Sequence, residues 1–179
     1  MSDDPLAQGV ILRADPHACF ACGDLNANGL QLKLHVATDS CWTEMEIAER
    51  FQGWEGMVHG GVISTLLDEV LSWSCIGEDL WAVTARLSVE YKKPAIVGRR
   101  LRAEGRIVER RRRVITTAGR LVDLESGDVL ATAEGVHVTV NEEKKAELQA
   151  RYGNLRERRL EAERELLARA AAPASPAAE

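Results

Sequence analysis

One helical pattern stands among strand patterns near the centre of this chain. From Gly61 to Ile76 the apolar residues recur at helical spacing and form one broad stripe, and no Lys or Arg interrupts the segment. Two strand patterns precede the helix and four follow it. A single helix that must bury a full stripe against strands predicts an α+β fold, in which a curved antiparallel sheet of about six strands wraps around the helix.

The strand patterns alternate apolar and polar residues, as half-buried strands do. The first two, residues 30–36 and 41–47, are joined by a short polar turn and predict a hairpin. The remaining four predict an antiparallel meander and cover residues 83–91, 99–110, 114–124 and 129–140.

The chain divides into three predicted regions. Residues 1–28 form a lead-in rich in turn residues, and residues 29–140 form the domain that combines the sheet and the helix. Residues 141–179 begin with a capping pattern at Asn141 and predict one long charged helix, followed by a disordered Ala/Pro tail. The apolar positions of this helix are too sparse for a coiled coil.

Charge and hydropathy exclude two classes of partner. The net charge is -5 and the isoelectric point is about 5.5, whereas nucleic-acid-binding domains are usually basic. No apolar run has the length of a membrane span, and the first residues lack the basic region and apolar core of a secretory signal. We therefore expect a cytoplasmic protein without a nucleic-acid or membrane partner.

Four cysteines are present, at positions 19, 22, 41 and 75, and we expect them to be reduced. Cys19 and Cys22 have the spacing of half a zinc site, with His17 as a third candidate ligand, but no second Cys pair or His pair follows at finger spacing. The favoured interpretation is therefore two thiols packed under a turn, and we expect no metal site.

Small residues cover the face of the helix opposite its apolar stripe. That face consists of Gly61, Ser64, Thr65, Asp68 and Ser72. It is interpreted either as the solvated side of an amphipathic helix or as a surface that meets a ligand or a second subunit. Backbone amides at a helix N-terminus attract negative charge, so a glycine-opened helix followed by a carboxylate points to chemistry on a carbonyl.

Three motifs resemble one family. They are the run His59-Gly60-Gly61 followed by Asp68, the upstream segment Cys19 to Leu30, and Tyr91-Lys92-Lys93-Pro94 followed by Gly98. Over residues 17–140 they closely resemble hotdog-fold acyl-CoA thioesterases of the PaaI-like branch, in the 4-hydroxybenzoyl-CoA thioesterase superfamily. The resemblance implies a homodimer or homotetramer without a cofactor, whose two sheets join edge to edge and whose active sites lie between subunits.

The resemblance also implies roles for individual residues. The backbone amide of Gly60 or Gly61 would polarise the thioester carbonyl, while Asp68 of the other subunit would activate water or attack directly. His59 would support the turn, with its ring bonded to backbone in the loop from Phe51 to Val58, rather than act on the substrate.

Further candidates carry less of the chemistry. Thr84 occupies the position of a hydroxyl residue that holds the water, although strand propensity alone also explains a threonine there. Gln52 is a possible polar contact to the substrate, because Gly53 stands at the other position where relatives carry an amide. Glu69 is the second candidate carboxylate, and helical phase turns it about 100° away from Asp68.

Arginine is concentrated in one stretch of this acidic chain. Nine arginines and two glutamates lie between Arg99 and Arg120. Arg111 and Arg112 are the proposed contacts to the phosphates of coenzyme A, since guanidinium groups match phosphate oxygens. A solvated charge run that protects a sheet edge is an equally good interpretation.

The sequence thus predicts a hydrolase that splits an acyl-CoA into free acid and CoA. The alternative is a non-catalytic hotdog module that binds acyl-CoA, which would not need a carboxylate beside the thioester. A hotdog hydratase expects a paired Asp and His in a different arrangement, and a triad hydrolase expects a Gly-x-Ser-x-Gly elbow that Ser64 lacks.

Overall fold

The computed structural model describes residues 9–171 of the chain. The predicted Ala/Pro tail lies outside the described residues. The strands are β1 (Val10–Leu12), β2 (Leu34–Val36), β3 (Ser40–Glu46), β4 (Ala82–Tyr91), β5 (Arg100–Arg111), β6 (Val114–Asp123) and β7 (Val129–Thr139). The helices are α1 (Gly60–Ile76), α2 (Glu142–Tyr152) and α3 (Leu155–Ala171), with a 3₁₀ turn at Glu49–Phe51.

The sheet has seven antiparallel strands in the order β1-β2-β3-β5-β6-β7-β4. The predicted α+β class, a curved antiparallel sheet around one helix, is confirmed. The additional strand is β1, whose three residues are too few to show an alternation in the sequence. The predicted four-strand meander is wrong for β4, which pairs with β7 rather than β5 and forms an edge of the sheet.

Helix α1 lies across the inner face of the sheet and forms the core with it. All seven predicted stripe residues are buried: Val62, Ile63, Leu66, Leu67, Val70, Leu71 and Cys75. Three glycines on adjacent strands leave room for Leu71, since a Cβ added at Gly105, Gly119 or Gly135 would lie 2.8–3.2 Å from its methyl carbons. The helix therefore approaches the sheet closely at this layer, and its position along the strands is fixed there.

The C-terminal segment forms two helices rather than the single long helix predicted. The helical run breaks at Gly153, which has a φ of 87°, a backbone conformation that glycine adopts without strain. Helix α3 turns back and packs against β1. Arg158 of α3 donates hydrogen bonds to the carbonyl oxygen of Arg13 at 3.2 Å and to Asp15 Oδ1 at 2.6 Å. The two ends of the described chain are thus fastened together.

None of the helices between residues 9 and 171 has an apolar stretch of the length that crossing a bilayer requires.

Candidate active site at the start of helix α1

The first helical residue, Gly60, presents a backbone N–H without a hydrogen-bond acceptor among the described residues. The next amide, that of Gly61, is already engaged, because it donates to His59 Nδ1 at 2.9 Å. Sequence reasoning left Gly60 and Gly61 as equal candidates for polarising a carbonyl. The geometry separates them, since only the Gly60 amide is free to bind an oxyanion at this helix terminus.

His59 caps α1 with its side chain. Its ring accepts the hydrogen bond from Gly61, so the prediction that the ring bonds backbone in the preceding loop is wrong. The contact to that loop is made by the backbone instead, where the His59 N–H donates to the Phe51 carbonyl oxygen at 3.0 Å. An acceptor at the N-cap satisfies one of the unpaired amides of a helix terminus, which is a supporting role.

Tyr91 holds the first turn of α1 against the end of β4. Its hydroxyl donates to the Gly60 carbonyl oxygen at 2.9 Å, and Ser64 Oγ lies 2.7 Å from the same hydroxyl. Because the tyrosine proton is used on Gly60, Ser64 is the donor in the second bond. Sequence reasoning used Tyr91 only as part of a motif and gave it no role. The contact fixes the orientation of the Gly60–Gly61 peptide group. The Gly60 N–H shares its peptide plane with the His59 carbonyl, which is held by hydrogen bonds from Val62 and Ile63.

Asp68, two turns further along α1, ends a chain of hydrogen bonds that reaches into the core. Thr84 Oγ1 donates to Asp68 Oδ1 at 2.8 Å and lies 3.3 Å from His137 Nδ1. The other ring nitrogen of His137, Nε2, lies 2.9 Å from Thr117 Oγ1. The structure therefore brings the predicted Asp68 and Thr84 together, and adds two residues that the sequence analysis missed.

The single hydroxyl proton of Thr84 assigns the direction of every bond in this chain. Since Thr84 donates to Asp68, it can only accept from His137, which therefore carries its proton on Nδ1. Nε2 of His137 then accepts from Thr117. Ser72 Oγ, 3.3 Å from Thr84 Oγ1, is a second donor to the threonine. All donors point toward the carboxylate, an arrangement that fixes its orientation.

His137 is fully buried, and burial lowers its pKa while the charge of Asp68 opposes that shift. Burial favours the neutral ring, in which Nε2 accepts from the Thr117 hydroxyl over the shorter of that residue's two contacts. Strand alternation could have identified this residue, because His137 shares its face of β7 with Ala131, Ala133 and Gly135, all of them buried against α1. The sequence signal for His137 was therefore a histidine on a strand face whose other residues are small and apolar.

Two other candidates face elsewhere. Glu69 is half-buried on a different side of α1 from Asp68, where it accepts from Trp73 Nε1 at 2.8 Å. Burial raises the pKa of Glu69 to about 7. Gln52 Oε1 accepts from the Gly56 N–H at 3.0 Å, so its side-chain carbonyl stabilises the loop between Gln52 and Gly56.

A groove of about 680 Å³ opens beside the Gly60 amide. Its walls include Trp54, Ile63, Tyr91 and Pro94. Trp54 is 82% exposed, whereas Trp73 and Trp81 are buried in the core and do not line this groove. The exposed indole is therefore the tryptophan available to an apolar group placed near Gly60.

The arginine-rich hairpin lies at the other end of α1. Arg110, at the end of β5, pairs with Glu78 at 3.0 Å, just beyond the C-terminus of the helix. Arg111 pairs with Glu109 at 2.8 Å, and Arg112 occupies the turn with a φ of 53°. Since α1 has 17 residues, about 25 Å of helix separates this hairpin from Gly60 of the same chain.

Comparison with known proteins agrees with this architecture. Residues 55–130 match the family model of the thioesterase superfamily. The crystal structure of a thioesterase-superfamily protein is 32% identical, with a TM-score of 0.59 over 63% of this chain and 56% of its own length. The present chain thus spans just over half the length of that protein. No curated protein matches the sequence.

Two more distant structures share the fold. The Escherichia coli PaaI protein of the phenylacetic acid degradation operon is 17% identical, with a TM-score of 0.61 over 66% of this chain and 86% of its own. A Streptococcus mutans protein solved with acetyl-CoA is 22% identical, with a TM-score of 0.58 over 62% and 89%. The predicted resemblance is therefore confirmed: residues 55–130 match the thioesterase superfamily, and the chain has the hotdog fold that PaaI also has.

Proposed function

We propose that this protein is an acyl-CoA thioesterase, which hydrolyses the thioester to a free acid and CoA. The superfamily match supports hydrolysis of a thioester, and the acetyl-CoA bound to the Streptococcus mutans relative supports CoA as the thiol. The observation that carries the proposal is the free Gly60 amide at the N-terminus of α1, with the Asp68 carboxylate oriented further along the same helix. These are a donor for an oxyanion and a base for water.

The reaction needs both groups at one carbonyl. Asp68 takes a proton from water as the water oxygen attacks the thioester carbon, and the Gly60 N–H stabilises the negative charge that develops on the carbonyl oxygen. The tetrahedral intermediate then expels the CoA thiolate, which accepts the proton that Asp68 holds. Alternatively the carboxylate attacks the thioester carbon and expels the CoA thiolate, and water then hydrolyses the resulting anhydride to the free acid and the restored carboxylate, with the released proton going to the thiolate.

The two groups must come from different subunits. Asp68 follows Gly60 by eight positions, which is about 12 Å along a helix. A donor and a base that act on one carbonyl must each come within about 3 Å of the reacting atoms, so one helix cannot supply both. We therefore propose a homodimer in which Gly60 of one subunit faces Asp68 of the other.

Strand β4 is the proposed seam of this dimer. It forms an edge of the sheet, is ten residues long, and carries both Thr84 and Tyr91. A long strand edge exposes unpaired backbone groups, and pairing with a second copy would satisfy them. The exposed side chain of Val83, at one end of β4, would be covered by the same contact.

The substrate would then lie between subunits. The acyl group would enter the groove beside Trp54, and His59 would hold the glycine turn around the thioester. Arg111 and Arg112 are the proposed contacts to the phosphates of CoA. Arg111 and Arg112 lie far from Gly60 of their own chain. They would therefore bind the CoA whose thioester lies between their own Asp68 and Gly60 of the other subunit. Gln52 and Glu69 are kept out of the chemistry by the contacts they already make.

Hydrolysis of an acyl-CoA panel with detection of the released thiol tests this function. We expect turnover of at least one short, medium, long or aryl acyl-CoA, and a loss of at least about 100-fold in kcat in Asp68→Asn, because the base is removed while its shape is kept. Glu69→Gln is the matched control on the same helix, and it should retain most of the turnover.

The outcomes separate the candidate functions. Binding of acyl-CoA without turnover of any substrate in the panel would favour the non-catalytic binding module. Turnover that is unchanged in Asp68→Asn would leave the hydrolase in place and remove Asp68 from its mechanism.

A further inference from the structure

A second cluster of reactive side chains lies away from the proposed active site, in the loop between β1 and β2. Its members are His17, Cys19 and Cys22, all half-buried, and their ligand-type atoms lie within 4.8 Å of one another. His17 Nε2 is 3.4 Å from Cys22 Sγ. No step of the proposed hydrolysis uses these groups, so the cluster calls for its own explanation.

The backbone around the cysteines forms a tight turn that points both thiols inward. Gly23 N–H donates to the Cys19 carbonyl oxygen at 3.0 Å, and Leu25 N–H to that of His17 at 3.1 Å. A Cβ at position 23 would lie 2.3 Å from the Cys19 nitrogen, so the turn requires glycine. The turn thus holds Cys19 Sγ and Cys22 Sγ close to each other and to the His17 ring. The deprotonated thiol is the form of cysteine that binds metals.

The histidine ring is oriented for coordination. His17 Nδ1 lies 3.0 Å from the Asp15 carbonyl oxygen, which only accepts, so Nδ1 carries the proton and Nε2 keeps a free lone pair. The edge of Tyr152 packs on the ring, with 5.4 Å between ring centroids. A histidine that donates one nitrogen to a backbone carbonyl and presents the other is the usual arrangement around zinc.

The distance between Cys22 and His17 is compatible with a tetrahedral zinc centre. Zn–S and Zn–N bonds of about 2.3 and 2.0–2.1 Å place their ligand atoms about 3.6 Å apart at the tetrahedral angle. The distance between Cys22 Sγ and His17 Nε2 is 3.4 Å.

We propose that His17 Nε2, Cys19 Sγ and Cys22 Sγ bind a Zn²⁺ ion in the loop between β1 and β2. Binding releases the thiol protons and places two thiolates and a neutral imidazole around the ion, with water in the fourth tetrahedral position. The ion would hold the turn that connects β1 to β2 in one conformation.

Metal titration of the full-length protein tests this site. After removal of metal with a chelator, we expect one equivalent of Co²⁺ to bind and to produce thiolate-to-cobalt charge-transfer absorption and the visible bands of tetrahedral cobalt. One equivalent of Zn²⁺ should displace it. Each of the variants Cys19→Ser and Cys22→Ser should lose at least half of the charge-transfer absorption, because each removes one of the two thiolate ligands.

Cys75→Ala is the matched control, because it removes a buried thiol of α1 outside the cluster and should leave the cobalt spectrum unchanged. Circular dichroism of each variant establishes that it is folded. The proposal is overturned if the wild-type protein binds no Co²⁺ or Zn²⁺, if the bands persist undiminished in Cys19→Ser, or if thiol counting finds Cys19 and Cys22 joined as a disulfide.

Discussion

At the scale of single residues, the proposed site depends on which backbone amide is free. The His59 ring engages the Gly61 amide, so the proposed oxyanion role falls to the Gly60 amide, whose peptide plane is fixed by the hydrogen bonds to the His59 carbonyl. The sequence could reveal the glycine pair and the spaced carboxylate, because both are local patterns. It could not reveal which amide is engaged, since that depends on the rotamer of one histidine ring.

Proline at position 60 tests this assignment. Proline is well tolerated at the first position of a helix, and His59 already has the extended backbone that precedes proline comfortably, with a ψ of 135°. Gly60→Pro removes only the free N–H, and we expect kcat to fall about 10²- to 10³-fold. Steady-state kinetics of Gly60→Ala provide the control, because alanine keeps the amide. Equal losses in the two variants would mean that the amide plays no part.

The buried His137 gives the protein a pH-dependent stability. Burial lowers its pKa in the folded state, so between that value and the unfolded value of about 6.5 the unfolded chain binds more protons. The free energy of unfolding therefore falls as the pH drops through this window. In urea titrations at about pH 7.5 and about pH 5.5, the wild-type protein should lose more stability than His137→Gln. His35 is present in both proteins, so its own titration cancels. Equal losses would refute the lowered pKa.

At the scale of secondary-structure elements, local patterns and long-range pairing differ in how well they could be predicted. The stripe of α1 and the alternation of the long strands follow from side-chain chemistry along a few turns or residues. The position of β4 beyond β7 does not, because strand order depends on which edges meet in the folded sheet. The break between α2 and α3 had a signal in Gly153, which the prediction of one long helix overrode.

The close packing of Leu71 against the sheet can be tested by substitution. A methyl group at Gly105 would lie 2.8 Å from a methyl carbon of Leu71. Gly105→Ala should therefore lower the free energy of unfolding by about 1–3 kcal/mol through overpacking. Chemical denaturation of the double variant with Leu71→Val measures the coupling, and the smaller side chain should recover part of the loss. Strictly additive effects would place the strain elsewhere.

At the scale of the whole molecule, the proposed active site is incomplete in one chain. The groups that would act on the thioester lie too far apart along α1, and β4 offers its open edge to a second copy. No pattern in a single sequence reports this directly, because helical phase shows only that Asp68 faces away from the core. In this proposal, a second copy of the same chain covers the small-residue face of α1.

Mixing two inactive variants tests the shared site. Gly60→Pro and Asp68→Asn homodimers should each be nearly inactive. When equal amounts exchange subunits, half of the dimers are mixed, and each of these has one site with both native groups, so activity should recover to about one quarter of the wild-type value. Subunit exchange is monitored by native mass spectrometry. No recovery despite complete exchange would place both groups in one subunit.

The hydrogen bonds between the two ends of the described chain should form late in folding. Asp15 N–H donates to the Tyr152 carbonyl oxygen at 2.9 Å, and the carbonyl of Asp15 in turn orients His17. Contacts between residues so distant in sequence form late, because closing a long loop costs entropy before it gains interactions. On the ribosome, the loop between β1 and β2 must therefore wait for nearly the whole chain before its histidine is held in place. The same segment should be among the first to open when the folded protein fluctuates.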